Sequence, residues 1–158
     1  MDQKVRILVV DDDETIRTVF RTRLTAEGYD VDTAANGAEA IEKSNVTFYN
    51  LALVDVRLPD MEGTKLLTEM KETVPKMRKI IVTGHPDVQN AIAAVKGAAD
   101  DYLIKPAKLE DLVKAVREQL RKQTEDSKYS ETKVTEFVES RIKRLESDED
   151  TSRNNATR

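Results

Sequence analysis

The sequence has no cysteine, no tryptophan and a single histidine, and aromatic residues make up only 4% of it. Without cysteine there is neither disulfide nor thiolate chemistry, and a reducing compartment fits that composition. One histidine also leaves too few soft ligands for a zinc site. A long hydrophobic run is missing as well. The opening MDQKVRILVVDDD has an apolar stretch far too short for a signal peptide and runs straight into acids, and no later run approaches membrane-spanning length. Nor is there an excess of positive charge: the formal net charge is -4, which gives no electrostatic reason to expect nucleic acid or anionic lipid as a partner. These absences describe a cytoplasmic protein with no membrane partner. At 158 residues, 35% of them charged, it is long enough for one compact domain plus an appendage.

What is present is alternation. Val5 to Val10 (VRILVV) reads as a strand buried on both faces, and Asp13 can cap a helix carrying Ile16, Val19, Phe20 and Leu24, which Gly28 stops. A weak strand, Val31 to Ala34, precedes Asn36-Gly37 and a short helix with Ala40 and Ile41 inward. Leu51 to Val54 is the next strand, and Leu66, Leu67 and Met70 mark a third helix. Lys79 to Thr83, a helix with Val88, Ala91, Ile92 and Val95, the strand Tyr102 to Ile104, and a helix with Leu109, Leu112, Val113, Val116 and Leu120 complete the series. Short strands alternating with longer helices predict an α/β fold, a doubly wound (βα)5 parallel sheet covered on both faces.

In an open parallel sheet, ligands sit outside the carboxyl ends of the strands. The unusual polar residues all fall there: Asp11 and Asp12 after the first strand, Asp55 after the third, Thr83 after the fourth and Lys105 after the fifth. Three carboxylates brought together repel unless a cation neutralises them, and a hard divalent ion with oxygen ligands, Mg2+, is the remedy this residue set allows. A carboxylate can itself accept a phosphoryl group if positive charge surrounds the transferring oxygens; Lys105 and the metal supply that charge, and the Thr83 hydroxyl adds a donor.

The acidic pair in ILVVDDD, Asp55 in LVDVRLPDMEG, Thr83 in IIVTGH, and Tyr102 through Pro106 in DDYLIKP resemble the receiver domain of two-component response regulators over Lys4 to about Arg121. The resemblance implies a flavodoxin-like, CheY-like sheet of strand order 2-1-3-4-5 and a phosphoacceptor switch, not an enzyme with a separate substrate. It implies Asp55 as the phosphoacceptor, phosphorylated by a sensor histidine kinase. Asp12 and Asp55 would be direct Mg2+ ligands, Asp11 a ligand largely through water, and the Arg57 backbone carbonyl a further ligand. It gives Lys105 and Thr83 as phosphoryl-binding residues, Tyr102 as the aromatic switch residue and Lys105–Pro106 as a cis peptide. Arg57 and His85, each two positions past a site residue, would tune how quickly the phosphoryl group is lost. Read from the residues alone, His85 is a loop residue ahead of Pro86, and Pro59 and Gly63 shape a turn.

The receiver is expected over 1–122 and a charged extension over 123–158, with seven basic and nine acidic residues and neither Gly nor Pro. Within Ser130 to Glu146, the residues Val134, Phe137, Val138, Ile142 and Leu145 form an apolar stripe at helical spacing, predicting an amphipathic helix over about 130–146 and a disordered end. The output is expected through a downstream protein partner or a homodimer, using the face of the fourth helix, fifth strand and fifth helix, or the C-terminal helix. Two other functions fit less well. An aspartyl-phosphate hydrolase needs a second acid two residues past the nucleophile, where this chain has Arg57, and a helix-turn-helix needs more than one helix and a basic face.

Overall fold

The computed structural model describes residues 4–84, 86–96 and 99–156. Five strands alternate with five helices: β1 (Arg6–Val10), α1 (Glu14–Ala26), β2 (Asp30–Ala34), α2 (Gly37–Val46), β3 (Leu51–Val54), α3 (Gly63–Glu69), β4 (Arg78–Thr83), α4 (Val88–Lys96), β5 (Asp101–Ile104) and α5 (Leu109–Ala156). The strands form one parallel sheet in the order β2-β1-β3-β4-β5. This is the doubly wound (βα)5 sheet expected from the alternation.

The pleat sends alternate residues of each central strand to opposite faces, which builds two cores. Leu8 and Val10, Ala52 and Val54, and Ile81 join one cluster with Ala40 of α2, Leu66 and Leu67 of α3 and Ala94 of α4. Ile7 and Val9, Leu51 and Leu53, and Ile80 and Val82 join the other with Phe20 and Leu24 of α1 and Leu112, Val113 and Val116 of α5. Asp13 caps α1 by accepting from the Thr15 and Ile16 amides, and Gly28, with φ of 98°, supplies the left-handed residue that turns the chain into β2. Two details depart from the periodicity. The α4 stripe points outward, with Val88, Ile92 and Val95 exposed and Ala94 buried, because a helical spacing defines a face without saying which way it points. Strand β5 lies at the sheet edge, and Ile104 is exposed.

The chain divides into two units, Met1–Gln123 and Thr124–Arg158. The second unit is helical as far as the structure describes it. The separate helix over about 130–146 with a disordered end is replaced by a single α5 that stays helical to Ala156. Neither Gly nor Pro occurs from 107 onward, so nothing there breaks a helix once it has started. Contacts one turn apart add support: Lys133 sits 5.5 Å from the Tyr129 ring and Arg141 5.6 Å from that of Phe137. Among the described residues no helix is long and apolar enough to cross a membrane.

Candidate functional site

Register brings the acids together. Val10 of β1 pairs with Val54 of β3, and the Asp55 amide donates to the Val10 carbonyl at 2.9 Å, so Asp11 and Asp55 leave adjacent strand ends side by side. Both are buried, whereas Asp12 is exposed. One carboxylate oxygen from each of Asp11, Asp12 and Asp55 lies within 4.8 Å of the others. At the far side, Thr83 of β4 accepts from the Lys105 amide at 2.7 Å. The Lys105 side chain reaches back across the strand ends, placing Nζ 2.7 Å from Asp11 Oδ2 and 3.3 Å from Asp55 Oδ2. Thr83 is fully buried at its own strand end, next to Lys105 in the backbone.

Charge in this site is unbalanced. Burial pushes the Asp11 carboxyl above its ordinary value, against the lowering pull of Lys105 and of the Asp13 amide, which donates to Asp11 Oδ1 at 2.9 Å. For Lys105 burial works the other way, but its bond to Asp11 and the charges of Asp11 and Asp55 outweigh it and hold the ammonium above its ordinary value. Arg17 of α1 adds a second cation by donating to the Asp11 carbonyl oxygen at 2.7 Å. Three carboxylates still face two cations, and Asp12 has its side chain toward solvent. The donor set is all oxygen and hard, which suits Mg2+ with water in its remaining positions.

The backbone after β3 is shaped by close approach. A Cβ at Gly63 would lie 1.9 Å from the Asp55 carbonyl oxygen, and the Gly63 amide donates to the Val56 carbonyl at 2.6 Å. Gly63 is thus more than a turn residue: only glycine lets α3 begin this close to Asp55. Arg57 is exposed, its amide 3.4 Å from Asp55 Oδ1. The Lys105–Pro106 peptide is cis. Tyr102 packs on the first cluster with its hydroxyl buried and without a hydrogen-bond partner among the described residues; burial, then the charge of Asp87, raises its pKa. His85 lies outside the described residues.

A family model, the response regulator receiver domain, matches residues 7–117. This chain belongs to the response regulator receiver family. It is similar to a CheY-like receiver domain protein from Methanospirillum hungatei, 40% identical with a TM-score of 0.75, covering 78% of this chain and 99% of that one. The response regulator TrrA from Thermotoga maritima, whose structure is a complex with Mg2+ and BeF, is 32% identical with a TM-score of 0.65, over 73% of this chain and 98% of that one. The transcriptional regulatory protein ZraR of Klebsiella oxytoca is 37% identical over 134 residues, 85% of this chain and 29% of that protein. The response regulator MprA of Mycolicibacterium vanbaalenii is 33% identical over 133 residues, 84% of this chain and 58% of that protein. The chain thus spans less than two thirds of the length of each of these two curated relatives.

Two receiver residues near the site were not singled out from the sequence. Arg17 reads as one more polar position on α1, and Asp60 as a turn residue after Pro59. Arg17 reaches a backbone carbonyl six residues back, which no side-chain pattern marks, and Asp60 acts on the start of α2, more than twenty residues away.

Proposed function

We propose that Asp55 accepts a phosphoryl group from the phosphohistidine of a sensor histidine kinase, in a reaction that needs Mg2+. The observation that carries this reading is one ammonium, Lys105, bonded to two of three carboxylates gathered within 4.8 Å. An Asp55 oxygen forms a bond to phosphorus as the P–N bond breaks. The electron pair stays on the imidazole, which takes up a proton, and Asp55 becomes an acyl phosphate. Asp12, Asp55 and the Arg57 carbonyl would hold Mg2+ directly, and Asp11 through water. When bound, the ion supplies positive charge to the carboxylates and to the phosphoryl oxygens. Lys105 is already between Asp11 and Asp55 and would move onto a phosphoryl oxygen, with the Thr83 hydroxyl donating to another. The exposed Arg57 side chain covers the group and slows its hydrolysis, and His85 is the second tuning position. Thr83 and Tyr102 carry the change to the apolar face made by Val88, Ile92, Val95 and Ile104, where a downstream protein docks.

The test is incubation with acetyl phosphate with and without Mg2+, followed by mass spectrometry. One phosphoryl group, labile to alkali and hydroxylamine, should appear only with Mg2+, and Asp55→Asn should abolish it. Full labelling of Asp55→Asn would put the acceptor elsewhere.

A second reading concerns Thr124–Arg158. Val134, Phe137, Val138, Ile142 and Leu145 are all exposed on it, which favours pairing with a second copy. The relatives' names include transcriptional regulators, but this unit is one helix with more acids than bases, so protein rather than DNA is the output advanced here. Ile142→Asp should shift the protein toward monomer in sedimentation. A parent that sediments as a monomer at all concentrations, with and without phosphorylation, would remove the dimer.

A further inference from the structure

The segment from Asp55 to Gly63 leaves β3 and returns to α3 as a small closed loop. Two backbone bonds, the Gly63 amide on the Val56 carbonyl at 2.6 Å and the Leu58 amide on the Met61 carbonyl at 3.2 Å, close it as an antiparallel bridge between Arg57 and Glu62. All of these bonds lie within the loop, so they hold its shape and do not fix its position over the site. The tip is fixed by a different contact. Both oxygens of Asp60 accept from the first turn of α2, Oδ1 from the Gly37 amide at 2.8 Å and Oδ2 from the Ala38 amide at 2.9 Å. Met61 lies directly over Gly37, where a Cβ would come within 2.4 Å of its sulfur.

Helix α2 does not depend on Asp60 for its own capping. Asn36 Oδ1 accepts from the Glu39 amide at 2.8 Å, and Glu39 Oε2 accepts from the Ala35 amide at 3.0 Å. The Asp60 bonds are therefore best understood as a tether on the loop. That loop begins at Asp55 and carries the Arg57 carbonyl, two of the groups read above as Mg2+ ligands.

We propose that Asp60 is a positioning residue for the metal site: by clamping the loop tip to the first turn of α2, it holds the Arg57 carbonyl in place beside Asp11, Asp12 and Asp55. The inference rests on the reading of Arg57 as a backbone ligand. Mg2+ demands near-ideal octahedral geometry, so a carbonyl that must first be ordered binds it more weakly than one already fixed. Groups that hold ligands in place often matter tenfold or more to metal affinity. Asp60 itself touches neither the ion nor the phosphoryl group, and its effect is confined to the ion's affinity.

The test is Mg2+ titration of the full chain by calorimetry, for the parent, Asp60→Ala, Asp60→Asn and Asn36→Ala, with melting temperatures and acetyl phosphate labelling rates at several Mg2+ concentrations. Asp60→Ala should weaken Mg2+ binding by roughly threefold to tenfold. Asp60→Asn, which keeps one acceptor, should fall between it and the parent. Labelling in both should return to the parental rate at saturating Mg2+. Asn36→Ala removes a cap from the same helix end without touching the loop, so it should lower the melting temperature and leave Mg2+ affinity within about twofold. Unchanged affinity in Asp60→Ala, or an equal loss in Asn36→Ala, would overturn the proposal. A parent that binds no Mg2+ saturably would remove the metal site itself, and this role of Asp60 with it.

Discussion

The two ends of the sheet both bury polar side chains, and they satisfy them by opposite means. At the amino ends of the strands, a network of neutral amides lies beside a matched ion pair, Arg78 with Asp100 at 3.1 Å. Gln123 donates to the carbonyls of Asn50 and Lys76 at 2.9 and 2.8 Å and accepts from Asn50 Nδ2 at 3.4 Å. Asn50 Oδ1 in turn accepts from the Arg6 amide at 3.0 Å. Both Nε2 hydrogens of Gln123 and its Oε1 have partners in the protein, and the Arg78–Asp100 pair is matched one cation to one anion. At the carboxyl ends the groups are charged and the protein does not complete them: Lys105 spans Asp11 and Asp55, while Asp12 faces solvent. A network bonded within the protein, with its ion pair matched, holds the fold. An open charged one is built to be completed by something that binds. The difference teaches that burial of polar groups does not by itself mark a site; incomplete charge matching at a buried place does.

That contrast is sharpest when each end is broken in turn. The largest effect should come from the open end. Asp12→Ala should remove most of the Mg2+ affinity, and Asp11→Ala less, because Asp11 is already engaged by Lys105 and the Asp13 amide while Asp12 is available. Calorimetric titration checks it, and equal losses would remove the distinction between the two acids. At the closed end, Gln123→Ala strips the partners from two backbone carbonyls and from Asn50. It should cost about 1 kcal/mol of stability and lower the Tm by a few degrees, leaving Mg2+ affinity unchanged. A change in Mg2+ affinity there would mean that the two ends are coupled.

Smaller effects follow within the open end and then beside it. Arg57→Ala should speed loss of the phosphoryl group several-fold, a barrier change of about 1 kcal/mol, measured as decay of phospho-Asp55 after donor removal. Slower decay would mean that Arg57 does not shield the group. The smallest effect concerns Lys79, a buried cation that donates to the Leu67 carbonyl at 2.6 Å and belongs to neither end's network. Burial lowers its pKa below 10.5, so the neutral amine is favoured in the folded protein. Stability should therefore rise as the pH climbs through the lowered folded value toward the unfolded one. Lys79→Met should flatten that rise in chemical denaturation on the alkaline side, below pH 10.5. A parental slope in the variant would assign the pH dependence to another group.

The open end was legible in the sequence because its residues break a pattern. Asp11, Asp55 and Lys105 each follow an apolar run that reads as a buried strand, and a charge there calls for an explanation. The closed end was not. Asn50 and Gln123 are ordinary polar residues 73 positions apart, and only the fold puts them in contact. The (βα)5 order came from spacing alone. The direction of the α4 stripe and the unbroken length of α5 did not, since a helical period says nothing of which face finds a neighbour and an amphipathic stretch does not mark where its helix starts. Asp60 sits between these cases: its place after Pro59 suggests a turn, and its bonds to Gly37 and Ala38 depend on two loops meeting. The role of the Arg57 carbonyl came from family resemblance, since a backbone atom leaves no mark in a sequence.

The carboxyl end of the sheet gathers three carboxylates against fewer cations, whereas the Asn50–Gln123 network at the amino end is bonded within the protein. The most direct measurement is a Mg2+ titration of the 15N-labelled full chain followed by amide NMR. The account predicts saturable shifts at Asp11, Asp12, Asp55 and Arg57 that fit one binding constant, with Asn50 and Gln123 unmoved. Shifts of equal size at both ends, or none that saturate, would contradict it.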